Sequence, residues 1–242
     1  MRLMPLVLAL ATLGVALPAP ASAQATRPPA ADRVFLESES FLAAHPDLRY
    51  RLAGLENYQD GEYAEAMLLF RRAARYGDKP SQGMVAEMFW QGRGVPVDRV
   101  QGYIWMDLAA ERGFPLMIQQ REKYWEQMSE EERTRAVAEG QAVYAEYGDA
   151  VAKPRLAAVL RRERRNVTGS RTGSVGNLTI LIPTPNGMTS VDPTKYFDEQ
   201  YWEPEQYQAW MDQEWKHPRK PTVEVGEVMA NPGATPPAGD KE

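Results

Sequence analysis

Phe70-Arg71-Arg72-Ala73-Ala74-Arg75-Tyr76-Gly77 is echoed thirty-six residues later by Met106-Asp107-Leu108-Ala109-Ala110-Glu111-Arg112-Gly113, with Ala-Ala-x-x-Gly in register both times. Paired alanines let two helices approach closely, and the glycine beyond them supplies the left-handed backbone at which a helix stops. A period in the mid-thirties with these features is the pattern of stacked helical hairpins, each too small to bury its own apolar face without a neighbour. The echo therefore speaks to architecture. It names no ligand and no reaction.

Outward from the echo, the same punctuation continues. Leu48, Leu52, Leu55 and Tyr58 recur at helical spacing, Asp60-Gly61 makes a turn, and Tyr63, Ala66, Met67, Phe70, Ala73 and Ala74 mark a second helix ending at Gly77. Gly92 and Gly94 suit a tight inter-helix loop, and Asp98 can accept a hydrogen bond from the free amides of the next helix. Beyond Gly113, Met117, Ile118, Arg121, Trp125 and Met128 outline one helix, and Ser129-Glu130-Glu131-Glu132 reads as a capping box opening another that runs to about Tyr147. Upstream, Asp32 caps a short predicted helix from Arg33 to Ala44, and His45 before Pro46 reads as a plain loop histidine.

These residues resemble two related repeat families. Gly61, Tyr63, Ala66, Phe70 and Ala73 are spaced like the second half of a tetratricopeptide-type repeat. Residues 82–113 resemble the Sel-one-like subclass through Phe89, Gly92-Arg93-Gly94-Val95, Asp98, Trp105 and Ala109-Ala110-Glu111-Arg112-Gly113. The resemblance implies a short solenoid whose concave surface, lined by the first helix of each unit, binds another protein. It places Glu56, Gln59, Glu87, Trp90 and Gln91 in that groove. Departures exist: Gln101-Gly102 replaces the family's usual Lys-Ala, and Gln82 and Ala86 replace a small residue and a glycine, which implies a looser or shifted contact between units. One full unit, one partial unit and a degenerate cap fall short of the roughly three repeats a free-standing solenoid needs. The missing burial is expected from residues 150–228.

That region changes character. A further helix is expected over about Ala152 to Arg165, strands at Asn177–Pro183 and Thr222–Val228, and a short helix from Pro204. Tyr196, Phe197, Tyr201, Trp202, Tyr207, Trp210 and Trp215 crowd one short segment. They either fasten this extension onto the helical layer or, through Trp202, Tyr207, Trp210 and Trp215, stack on an envelope polysaccharide such as peptidoglycan. Arg161, Arg162, Arg164, Arg165 and Arg171 form the basic block. It either complements the helix C-terminal dipole or binds an anion.

The ends bound the setting. Arg2, an apolar run from Leu6 to Leu17, Pro18, Pro20 and Ala21-Ser22-Ala23 read as a secretory signal cleaved before Gln24, too short to span a bilayer. Without cysteine, disulfides, thiolate metal sites and a cysteine nucleophile are excluded. The formal net charge of −5 argues against nucleic acid as a partner. No nucleophile elbow, phosphate loop or zinc-binding histidine pair is present, and the adjacent carboxylates of Glu130–Glu132 suit a solvated face. The expectation is a mainly α protein: a signal peptide at 1–23, a flexible leader at 24–31, a short α-solenoid of helical hairpins with a capping hairpin at 32–149, an irregular C-terminal extension with one or two short strands at 150–228, and a disordered tail at 229–242. It would be a periplasmic, non-enzymatic interaction or assembly module. No cofactor, metal or catalytic residue is expected. The partner would be another envelope protein or peptidoglycan, with no membrane span once the signal is removed.

Overall fold

Helix follows helix along most of the described residues in a computed structural model that describes residues 30–168, 179–184 and 187–216. The elements are α1 (Ala30–Leu36), α2 (Glu39–Ala44), α3 (Pro46–Gln59), α4 (Tyr63–Ala74), α5 (Lys79–Gln91), α6 (Arg99–Ala109), a 3-10 turn (Ala110–Arg112), α7 (Pro115–Gln127), α8 (Glu130–Tyr147), α9 (Asp149–Thr168), β1 (Ile180–Thr184), β2 (Gly187–Val191), α10 (Pro193–Tyr196), α11 (Glu199–Trp202) and α12 (Pro204–Lys216). The fold is mainly α. α3 packs on α4 and α5 on α6, while α7 and α8 both pack on α6.

The local signals act as the sequence predicts. Asp78 and Asp98 accept the amides of Ser81 and Gln101, each at 3.0 Å. Ser129 and Glu132 form the reciprocal capping box. Gly92 and Gly94 take φ of 71° and 72° between α5 and α6. A Cβ on Gly94 would lie 2.6 Å from the carbonyl carbon of Tyr63, against backbone that has no rotamer to yield. Gly94→Ala therefore combines strained φ with a clash, and we expect a loss of about 3 kcal/mol in urea unfolding. A loss below about 0.5 kcal/mol would contradict the close approach.

Two cores result. In the first, Ala66, Phe70, Ala74, Val85, Ala86, Trp105, Ala109, Phe114 and Tyr124 join the hairpins. Ala73, Ala74 and Ala109 of the echoed motif are completely buried, which is why nothing larger fits there. The second core is long-range. Phe35, Phe41 and Ala44 from α1 and α2 pack with Leu156 and Leu160 of α9, Ile182 of β1, and Tyr196, Phe197, Tyr201, Trp202 and Tyr207.

Several expectations change. The single helix over 33–44 is broken at Ser38, whose hydroxyl donates to the Phe35 carbonyl at 2.6 Å and accepts the Phe41 amide, ending α1 and starting α2. Helix α1 begins at Ala30, inside the expected leader. The partner of β1 is β2, antiparallel, with Ile182 opposite Thr189. Residues 222–228, 229–242 and 1–23 lie outside the described residues. Gln82 does not loosen the units: it is buried, and its amide donates to the carbonyls of Ala74 (3.3 Å) and Tyr147 (3.1 Å), tying α4 to α8.

Candidate functional site

The C-terminal helices meet the hairpins where α3, α5 and α7 begin, and the contact is ionic. Lys79, completely buried on the first turn of α5, donates to the Leu108 carbonyl at 3.0 Å and to Glu111 at 2.6 Å, with Asp149 at 3.1 Å. Arg112 makes a fork on Asp149 at 2.8 and 2.9 Å and reaches Asp212 of α12 at 3.0 Å and the Gly77 carbonyl at 2.9 Å. The arginine of the second copy of the motif is thus bonded to the terminal glycine of the first. Burial alone would raise the Asp149 pKa, but Arg112 and Lys79 together hold the carboxyl well below its usual range. Burial lowers the Lys79 pKa, against the opposing pull of Asp149 and Glu111.

Asp47 and His45 form the other half of the junction. Tyr207 donates to Asp47 Oδ2 at 2.7 Å, and Arg51 pairs with Asp78 at 2.9 Å beside it. Burial, reinforced by Asp78, pushes the Asp47 pKa up to about 6, while the Tyr207 hydrogen bond and Arg51 oppose the shift. His45 lies in the one-residue link between α2 and α3, where the sequence places it, but it is not a plain loop histidine. Its ring is buried, stacked on Phe41 at 3.8 Å, and its nitrogens lie 2.8 Å from the carbonyl oxygens of Phe41 and Tyr201. Burial lowers its pKa to about 4, although both carbonyls favour the protonated ring.

Linkage fixes a sign for Asp47. A carboxyl whose folded pKa lies above its unfolded value contributes stability below about pH 4 that is lost as pH rises through about 6. Asp47→Asn keeps an acceptor for Tyr207 and removes the titration. Relative to wild type, the variant should gain about 3 kcal/mol between pH 4 and pH 7. A stability difference independent of pH would contradict the raised value.

This junction is built to hold elements together. The cavity that Asp47, Lys79, Arg112, Tyr207 and Trp215 help to line measures about 20 Å³, room for roughly one water and not for a substrate. A cleft of about 190 Å³ opens instead between α6 and α8, with Ile104, Ala136 and Val137 as apolar lining and Asp107 on its wall. Tyr144 donates to Asp107 at 3.0 Å, and Arg121 lies 3.3 Å away. Gly140 lines this cleft, where an added Cβ would meet only Ile104 at 3.9 Å. No packing reason requires glycine there, so Gly140→Ala should raise stability by about 1 kcal/mol through helix propensity.

The sequence-based candidates fall into distinct places. Trp202 and Tyr207 are sealed in the second core at 1% and 0% exposure, which corrects their assignment as sugar platforms: no ring face is open for stacking. Trp210 packs on that same core, and Trp215 on the first. Trp90 is also spoken for, since it lies flat on Tyr124 at 3.9 Å with the Arg99 guanidinium over it. Glu56, Gln59 and Gln91 are exposed on α3 and α5, and Glu87, half-buried, accepts a hydrogen bond from Gln91. Arg161, Arg162 and Arg165 are exposed, Arg164 is half-buried, and Arg171 lies outside the described residues. Sequence reading missed the charged junction. Its faint local signal is the placement of Asp47, Asp78 and Lys79 beside prolines at helix starts, which identifies first turns and not what meets them.

No family model matches this sequence, and no curated protein does. A solved structure matches over a short stretch: a protective antigen present in uropathogenic Escherichia coli strains, displaying an SLR fold. It is 23% identical, with a TM-score of 0.35, over 37% of this chain and 20% of that one. The match thus spans about a fifth of that protein's length.

Proposed function

We propose that this chain is an exported, non-enzymatic protein-interaction or assembly module of the cell envelope. One observation carries the reading. The C-terminal helices cover the first turns of α3, α5 and α7, through Asp47, Lys79 and Phe114, and leave Glu56, Gln59 and Gln91 further along α3 and α5 exposed. The aromatic segment completes the fold without occupying that face. The buried ionic groups of the junction are engaged with one another, and the space there is too small for a substrate.

The test is crosslinked recovery of envelope partners from cells producing wild type or Glu56→Lys/Glu87→Lys/Gln91→Lys. Trp90 is left alone because its stack on Tyr124 is structural. Loss of the recovered species with unchanged helicity supports the reading; full recovery removes the face from consideration. In the polysaccharide alternative, the protein would cosediment with purified peptidoglycan. Here it should stay in the supernatant.

A further inference from the structure

We infer that half-buried Arg71 anchors a second docking site, one that takes a carboxylate from an acidic segment of a partner protein. Its cation stands on α4, whereas Glu56, Gln59 and Gln91 of the first face stand on α3 and α5. The Arg71 guanidinium is held over two rings, 5.5 Å from the centroid of Phe89 and 5.6 Å from that of Trp105. Its Nε is sealed without an acceptor, whereas its terminal nitrogens are neither sealed nor bonded among the described residues. Nε1 of the Trp105 ring is likewise sealed with no acceptor. Unmet donors of this kind are costly, so a cation with none of its nitrogens satisfied marks a place for an incoming acceptor. The repeat supplies a comparison. Thirty-six residues on, the equivalent position holds Asp107, which accepts from Tyr144 at 3.0 Å and pairs with Arg121 at 3.3 Å. Arg71 has no such partner among the described residues.

Direct contacts join the neighbouring groups into one surface. Tyr147 of α8 packs on Trp105 at 4.6 Å. Burial and Glu146 raise the Tyr147 pKa while Arg71 and Arg75 oppose the shift, so all three charges face that phenol. Glu146 pairs at 2.9 Å with Arg75, one turn beyond Arg71 on α4, and both side chains are about half exposed. Arg155 of α9 donates to the carbonyls of Arg75 and Glu146. Leu68, one turn before Arg71, is 52% exposed.

These neighbours select the occupant. Arg75 and Arg155 are already engaged, which leaves the Arg71 fork as the unbonded cation, and one carboxylate matches its charge and planar geometry. A phosphate dianion would meet repulsion from Glu146. A bilayer surface would need a protruding cation, and Arg71 is recessed between rings. Exposed Leu68 beside it favours a peptide over a small free anion, because a peptide can cover that side chain while its acid meets the guanidinium.

The experiment is an NMR titration of isotope-labelled protein with a blocked hexaglutamate peptide, read at the Trp105 indole and Arg71 Nε resonances. A saturable shift of both is expected, with inorganic phosphate weaker than the peptide. Arg71→Gln should weaken binding about tenfold or more, through loss of a charge-assisted fork. Glu146→Gln should strengthen it about fivefold, because it removes a repelling charge and releases Arg75. An arginine with a packing role alone would not give that gain, and Glu146 is exposed, so the test stands even if Arg71→Gln fails to fold. Arg161→Ala/Arg165→Ala should bind as wild type. Absence of a saturable shift overturns the proposal, as does phosphate binding as tightly as the peptide or Glu146→Gln leaving affinity unchanged. Equal weakening in Arg161→Ala/Arg165→Ala overturns it too, since that pattern is unspecific charge attraction. Shifts that grow with protein concentration in the absence of peptide assign the site to a second copy of this chain and overturn a separate partner.

Discussion

Arg112→Ala is expected to destabilise the fold by about 3–5 kcal/mol, read as a shift in denaturant midpoint. The guanidinium is 9% exposed and satisfies Asp149, Asp212 and the Gly77 carbonyl together. Removing it takes the guanidinium from two largely buried carboxylates, Asp149 and Asp212, which is costlier than the pairing was favourable. Lys79, Lys153 and Lys216 remain near these acids, so the effect belongs toward the lower end of the range. A double-mutant cycle with Asp212→Asn separates the contact between α12 and the repeats from the rest. If Arg112→Ala costs under about 1 kcal/mol, the junction is a solvated surface cluster and does not join the elements.

Trp202→Ala carries the other large effect. The indole is 1% exposed, packs edge-on against Phe41 and His45 at 6.0 and 5.1 Å, and donates to the Tyr196 carbonyl at 2.6 Å. Truncation leaves a cavity and an unpaired carbonyl, and the expected cost is about 3–5 kcal/mol. Trp210→Ala, half-buried at the margin of the same core, should cost clearly less. If Trp202→Ala left stability unchanged, the aromatic segment would be available to a ligand after all.

The parts of this fold that local chemistry decides were legible. Ala73-Ala74 and Ala109-Ala110 with their glycines, the Asp98 cap and the Ser129 capping box each act within a few residues of chain, so periodicity and turn composition were enough. The second core was legible only as a deficit: too few repeats, hence burial owed by residues beyond 150. What supplies it depends on pairs far apart in sequence, such as Asp47 with Tyr207, Lys79 with Asp149 and Arg112 with Asp212. No local pattern announces such pairs.

His45 and the tail aromatics illustrate the same limit from two sides. A histidine before proline reads as a loop until Tyr201 arrives, 156 residues later, to accept one of its bonds. A dense run of tryptophan and tyrosine has the same composition whether it grips a sugar or closes a core. Only the partner surfaces, here Phe35, Phe41 and Leu160, distinguish the two. Likewise Trp90, a groove residue by repeat position, is removed from the free face by Tyr124 of the capping helix.

The central claim is that residues 196–216 belong to the cooperative unit of the repeat hairpins and complete an array too short to stand alone. Native-state hydrogen exchange under increasing denaturant tests it directly, by following the amides of Tyr201 and Tyr207 beside those of Leu108 and Ala109. The account predicts that both sets open with the same free energy and merge at the same denaturant concentration. Early, separate opening of Tyr201 and Tyr207 while Leu108 and Ala109 stay protected would contradict it.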